Sequence, residues 1–256
     1  MGKRSGLQVA SLPLQALLLG FFAISEGALA QTLSVPASLT TLNSSAGEQL
    51  LFNSRSRTDY LPLGTQFVTQ KNQAYCGVAS MVMVLNALGI PAPVAPEFAP
   101  YHVFTQDNFF NEKTEKVVTA KVVAQEGMTL DQLGQLLVTY PVSAKVYHAG
   151  GISLPQFRTL VIKNLQTPRN FVLVNYLRSS IAQQKGGHIS PVAAYSEETD
   201  RFLILDVSRY KYPPVWVKAA DLWQAMNTID SVSGKTRGFV LVSTPTLKPT
   251  AKQSGS

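Results

Sequence analysis

Cysteine occurs once in the 256 residues, at position 76, and histidine three times, at positions 102, 148 and 188. A lone thiol cannot close an intramolecular disulfide or share a zinc or iron–sulfur site with other thiolates. Cys76 is therefore either a small apolar core residue, a common fate of free cysteine, or a nucleophile. A nucleophilic thiol needs a base, a group that orients the base, and donors aimed at the oxyanion that forms on the attacked carbonyl. His188 is the strongest base candidate: it lies in Gly186-Gly187-His188-Ile189-Ser190-Pro191, where two glycines allow close backbone approach and a strand begins. His148 follows a short strand before a Gly-Gly turn, and His102 sits in a proline-flanked loop. Asp206 ends the apolar run 202–207 and is the orienter candidate, because a carboxylate there is costly to bury without a partner. Gln70, six residues before Cys76, can supply an amide donor to an oxyanion, beside the backbone N–H of Cys76 itself. Each has a plainer reading: a solvated loop glutamine, a structural loop histidine, and an edge-strand aspartate beside Arg209.

These residues must be positioned by helices and strands. Val78, Met81, Val82, Leu85 and Leu88 recur at helical spacing, and Gly89 stands where a C-terminal cap belongs. The spacing predicts a helix over 76–88 with Cys76 in its first turn, where unpaired N–H groups favour a thiolate. Residues 32–56 read as an irregular lead-in and 61–73 as a loop or short extended segment. Thr129-Leu130-Asp131-Gln132 predicts a capping box and a helix to about Tyr140; a second helix is expected over 154–166 and a short one over 220–227. Strands are expected over 144–148, 171–177, 189–195, 202–207 and 238–243. Helices first and an antiparallel sheet after them predict an α+β fold in two lobes with a cleft between. If the strands at 189–195 and 202–207 form a hairpin, Asp206 falls near the His188 end.

With 45% apolar and 14% charged residues the composition is globular, not disordered. The formal charge is +7, or +6 without residues 1–30, which hold Lys3, Arg4 and Glu26. No run of Lys and Arg and no zinc-ligand set points to nucleic acid; a basic protein favouring a small anionic substrate is the better reading. Lys3 and Arg4, the apolar stretch 9–24 and Ala28-Leu29-Ala30 form an export-signal pattern, with cleavage expected after Ala30 and the periplasm as the expected destination. The apolar stretch is short for a membrane span and is interrupted by Pro13. The expected organisation is a signal over 1–30, a catalytic domain over 31–246 and a polar tail over 247–256, with no stable membrane span once the signal is removed.

With Gln70, Cys76, His188 and Asp206 in view, the sequence resembles the catalytic domain of phytochelatin synthase, a papain-like family. The resemblance is carried by QFVTQKNQAYCGVAS at 66–80, GGHISP at 186–191, FLILDVSRYKYPPVWV at 202–217 and TRGF at 236–239, and covers about 51–244. It implies a papain-like fold with a helical N-terminal lobe and an antiparallel-sheet C-terminal lobe. It also implies Cys76 as nucleophile, His188 as general acid/base, Asp206 as orienter, Gln70 in the oxyanion hole and Arg237 on substrate charge. The implied substrate is glutathione, cleaved at its cysteinyl–glycine bond through a γ-glutamylcysteinyl thioester that passes to water or to a second glutathione. No cofactor is implied; thiophilic metals such as Cd2+ or Zn2+ would enter as metal–glutathione thiolates. Plant and fungal members carry a further cysteine-rich region, so a sequence with no second cysteine resembles the short bacterial form, closer to a glutathione hydrolase. A homodimer is one assembly left open. Two other readings stay open: a papain-like peptidase of the bacteriocin-processing kind, and a non-catalytic periplasmic binding protein with an inert Cys76.

Overall fold

The computed structural model describes Gly2 and residues 32–244. The expected export signal, Gly2 apart, and the expected polar tail lie outside the described residues. Seven helices and seven strands follow in chain order among them: β1 (Thr40–Thr41), α1 (Ser45–Asn53), α2 (Tyr60–Gly64), α3 (Cys76–Leu88), α4 (Ala120–Glu126), α5 (Leu130–Leu137), β2 (Ser143–His148), α6 (Leu154–Leu165), β3 (Asn170–Leu177), β4 (Gly187–Ser196), β5 (Arg201–Ile204), β6 (Val215–Lys218), α7 (Ala219–Met226) and β7 (Gly238–Ser243). The strands form one sheet in the order β1-β6-β5-β4-β3-β7-β2, every pair antiparallel. The fold is α+β.

β3 reads Asn-Phe-Val-Leu-Val-Asn-Tyr-Leu, a nearly continuous apolar run, and such a run needs cover on both faces. Phe171 and Leu173 join the core formed with α3 and α5; Val172, Val174 and Tyr176 join the core formed with α6 and α7. α3 is buried along almost its whole length and packs on β4, which explains a helix apolar on all sides rather than on one stripe. It ends where Gly89 takes a left-handed conformation at φ 66°. The hairpin of β4 and β5 contains a bulge between Val192 and Ala194. Ala193 and Ala194, consecutive in sequence, consequently face the same core.

The expected capping box forms: the Thr129 hydroxyl accepts from Gln132 N while the Gln132 side chain accepts from Thr129 N. Ser153 and Gln156 build a second at the start of α6. Two expectations are corrected. The lead-in 32–56 contains α1, whose N-terminus is capped by the Ser44 hydroxyl accepting from Gly47 N at 3.1 Å. The segment 61–73 opens inside α2, where Pro62 sits in the first turn and its missing N–H has no helical acceptor to lose. β1 and β6 were not anticipated as strands, and the strand expected over 202–207 ends at Ile204.

Asp59, at the start of α2, makes no capping bond; it is 1% exposed and its Oδ2 has no partner. Burial pushes its carboxyl up to about 8. The folded state therefore holds a proton that the unfolded chain releases near pH 4, so stability falls as pH rises from about 4 through about 8. Asp59→Asn keeps the shape and removes the titration. Its melting temperature should exceed that of the wild type by a margin that widens between pH 5 and pH 8; a margin flat across that range would mean that Asp59 is ionised in the folded protein.

Candidate active site

Cys76 is the first residue of α3 and 9% exposed, so its thiol meets the N–H groups of the first helical turn. Ser80, one turn on, lies with its hydroxyl 2.7 Å from Cys76 O and 3.2 Å from Ile189 O, which ties the head of α3 to β4 beside His188. Across this seam His188 and Cys76 line the same cleft, and each shifts the other's proton affinity. His188 Nε2 lies 2.8 Å from Asp206 Oδ1 and 2.9 Å from Ser190 Oγ, which leaves Nδ1 as the nitrogen for sulfur. The hairpin expectation is met in substance: Leu205 N donates to Pro191 O at 3.0 Å, so Asp206, two residues past the end of β5, comes abreast of Ser190 and reaches back to His188.

Asp206 is fully buried, and the arginine paired with it beside His188 is Arg178, not Arg209. Arg178 Nη2 donates to Asp206 Oδ1 at 2.8 Å, and Nη1 lies 2.8 Å from Oδ2 without the alignment of a hydrogen bond. Nη1 donates instead to Gln183 Oε1 at 2.6 Å. Ser208 N completes the carboxylate shell at 2.8 Å. Arg209 stacks its guanidinium on Phe67, 4.8 Å from the ring centroid. The Tyr176 ring stands edge-on to His188 at 5.7 Å between centroids and keeps water from the His188–Asp206 bond.

The electrostatics follow from this packing. Burial pushes the Cys76 thiol up, but the hydrogen bond and charge of His188, with the N–H groups of Ile189 and Gly77, outweigh it and hold the thiol below its ordinary value. Burial pushes His188 down, and the Asp206 charge and hydrogen bond outweigh it, leaving the imidazole above its ordinary range. Burial likewise opposes ionisation of Asp206, yet His188 and Arg178 hold its carboxyl well below the usual carboxylate range. The arrangement favours a thiolate–imidazolium pair. The backbone N–H of Cys76 has no acceptor among the described residues, so it is available to an oxyanion.

Gln70 is buried behind Cys76, and both of its amide hydrogens are engaged. Nε2 donates to Asn72 O at 2.7 Å and to Tyr210 Oη at 3.0 Å, while Oε1 accepts from Ser208 Oγ at 2.6 Å. Gln70 reaches the site only through these partners and does not line the cleft. An oxyanion would gain its N–H by taking the place of the Tyr210 hydroxyl.

Cys76 and His188 open onto a cleft of about 490 Å³. Asn72 and Gln73, Met128 and the end of α4, and Arg237, Asn175 and Asp230 also line it. Gly77 and Gly187 are glycines for a visible reason. A Cβ on Gly77 would meet Met128 Sδ at 2.5 Å, and a Cβ on Gly187 would meet the Arg237 guanidinium at 2.9 Å. Arg237 Nη1 donates to Asn175 Oδ1 at 3.1 Å and lies 3.8 Å from Asp230 Oδ2, while Nε has no partner. The structure thus gathers Cys76, His188 and Asp206 in one cluster, sets Arg237 along the same cleft, and leaves Gln70 behind it. Sequence reasoning missed Arg178, Ser190, Asn175 and Asp230. Arg178 had a signal: it directly follows an apolar strand, as Asp206 nearly does. His102 is remote, exposed, and bonded through Nδ1 to Ala92 O at 2.9 Å. Among the described residues no group of three or more His, Cys, Asp or Glu side chains is placed to hold a metal ion.

A family model described as phytochelatin synthase matches residues 30–239. The chain belongs to the phytochelatin synthase family. It is 35% identical over 209 residues to glutathione gamma-glutamylcysteinyltransferase 1 of Lotus japonicus, covering 80% of this chain and 40% of that protein. It is 34% identical over 210 residues to the Arabidopsis thaliana protein of the same name, covering 80% of this chain and 42% of that one. The Schizosaccharomyces pombe glutathione gamma-glutamylcysteinyltransferase is 27% identical over 212 residues, covering 81% of this chain and 50% of that protein. The chain therefore spans between two fifths and half the length of these family members.

If Asp206 is what keeps His188 charged, Asp206→Asn should let the Cys76 thiol rise toward its ordinary value. Alkylation by iodoacetamide at mildly acidic pH should then slow by about tenfold for each unit of rise, while rates at alkaline pH converge with the wild type. An alkylation profile unchanged by the substitution would show that Asp206 does not govern the pair.

Proposed function

We propose that this protein cleaves glutathione at its cysteinyl–glycine bond, with Cys76 as nucleophile, His188 as general acid/base and Asp206 as the group that orients it. The observation that carries this reading is the cleft running from Cys76 to Arg237, Asn175 and Asp230. The γ-glutamyl end of glutathione is an α-amino acid, with a carboxylate and an ammonium on one carbon. The Arg237 guanidinium suits the carboxylate, and Asp230 suits the ammonium. On the other side of Cys76, Asn72 and Gln73 form the rim, with Lys211 Nζ 3.3 Å from Gln73 Oε1. That cation suits the carboxylate of the departing glycine.

The chemistry follows in two halves. The Cys76 thiolate attacks the cysteinyl carbonyl, and the oxyanion takes the N–H of Cys76 and that of Gln70, which turns from Tyr210. His188 gives its proton to the glycine nitrogen as the C–N bond breaks, and the γ-glutamylcysteinyl thioester remains. His188 then takes a proton from the incoming acceptor. Water releases γ-glutamylcysteine; the amino group of a second glutathione gives the longer peptide. A thiophilic metal enters only as a thiolate complex of the substrate. The relatives' printed names support glutathione and γ-glutamylcysteinyl transfer. A nucleophile heading a helix packed against a sheet that presents the histidine and leads to its acid supports a papain-like arrangement. The pattern in residues 1–30 supports export to the periplasm.

Purified protein incubated with glutathione should release glycine, and Cys76→Ala should lose at least about 10³-fold of that rate. No glycine, or equal rates from both proteins, overturns the reading. Products longer than glutathione on addition of Cd2+ would mark transfer; γ-glutamylcysteine alone would mark hydrolysis.

A further inference from the structure

His148 belongs to no part of the chemistry above, yet it makes two strong hydrogen bonds. It ends β2, and its Nε2 lies 2.8 Å from Asp131 Oδ1 on α5. Its Nδ1 is hydrogen-bonded to Thr236 O. Both partners are acceptors only. Thr236 offers a backbone carbonyl, and the Lys235 ammonium and His148 hold the Asp131 carboxyl below its usual range. A neutral imidazole carries one N–H and can satisfy one of them; only the imidazolium donates to both. Lys235 Nζ donates to the other oxygen of the same carboxylate at 2.7 Å. Among the described residues no further ionisable side chain is hydrogen-bonded or ion-paired to the ring.

What His148 holds is the segment 228–237, which returns on itself through Asp230 N to Lys235 O and Arg237 N to Thr228 O. This segment places Asp230 and Arg237 on the cleft. Three consecutive residues at the end of β2 grip its last two: His148 bonds Thr236 O, Ala149 N donates to Arg237 O at 2.9 Å, and Gly150 N donates to Thr236 Oγ1 at 3.0 Å. A Cβ on Gly150 would meet Thr236 Cγ2 at 3.0 Å, so the grip is close. The side-chain bond from His148 is the one of the three that also ties the segment to α5, through Asp131.

We propose that His148 is a positioning residue: bonded to Asp131 on α5 and to Thr236 O, it fixes the 228–237 segment and through it the Arg237–Asp230 part of the cleft. The functional part rests on the reading that Arg237 and Asp230 hold the α-amino-acid end of the substrate; the structural part does not.

Amide hydrogen exchange across 228–237, corrected for intrinsic rates, tests the structural part. His148→Ala should lose protection there, and His148→Asn, which keeps an amide donor, should be intermediate. In glycine release, His148→Ala should raise KM about tenfold with kcat little changed, and the rate of Cys76 alkylation should stay at the wild-type value. Protection in His148→Ala equal to the wild type overturns the proposal. So does a loss of kcat and alkylation rate in step with KM. Should the wild type release no glycine while the exchange behaves as expected, the positioning claim stands and the substrate reading fails.

Discussion

Cys76 and His188 meet where neither a thiolate nor an imidazolium is favoured alone. Burial opposes ionisation at Cys76, His188 and Asp206 alike. Each is pushed toward its charged form by its neighbour: the thiol by the imidazole, the imidazole by the carboxylate, the carboxylate by His188 and Arg178. Removing one member of such a set leaves an uncompensated buried charge, which costs about 3–5 kcal/mol. The chain of alternating charges is therefore a constraint on the whole fold, and it has to be assembled from α3, β3, β4 and the residues after β5.

The rest of the structure can be understood as the means of holding those pieces in register. α3 is apolar all round because it lies in the centre, between the sheet and the outer helices. Ser80 sets its height against β4, so that the head of the helix stops beside His188. The β4–β5 hairpin brings Asp206 abreast of Ser190, and the close of β3 delivers Arg178 to the same carboxylate. Gly77 and Gly187 leave room for the side-chain ends of Met128 and Arg237, which line the cleft beside Cys76 and His188. The Cys76–His188–Asp206 cluster and the Arg237–Asn175–Asp230 cluster thus share one seam but are held by different contacts, and His148 bonds only to the segment that carries the second.

Much of this could be read from residue types and spacing, and what could not be read has physical reasons. The helix from Cys76 was legible from its periodicity and Gly89, and the capping box at Thr129 from its own four residues, because those signals are local. β6 is only four residues long and α2 five, too short for a period to declare itself. α1 hid in a stretch of Ser, Thr and Asn whose one strong signal, the Ser44 cap, is common in loops as well. Asp206 was found from its cost on an apolar strand, but its partner Arg178 lies 28 residues away and spacing says nothing about that pairing. Gln70 was chosen for its distance from Cys76; that its amide is occupied by Tyr210, 140 residues on, is a tertiary fact.

The central claim is that the buried pair makes Cys76 the site of a covalent acyl transfer. Its most direct test is to mix the protein with glutathione, quench in acid within the first turnovers, and weigh the intact protein and its peptides. The account predicts a mass increase of one γ-glutamylcysteinyl group, confined to the peptide containing Cys76, labile to hydroxylamine as a thioester is, and absent from Cys76→Ala. Glycine release with no adduct at any quench time, together with an adduct on another residue or undiminished turnover by Cys76→Ala, would contradict it.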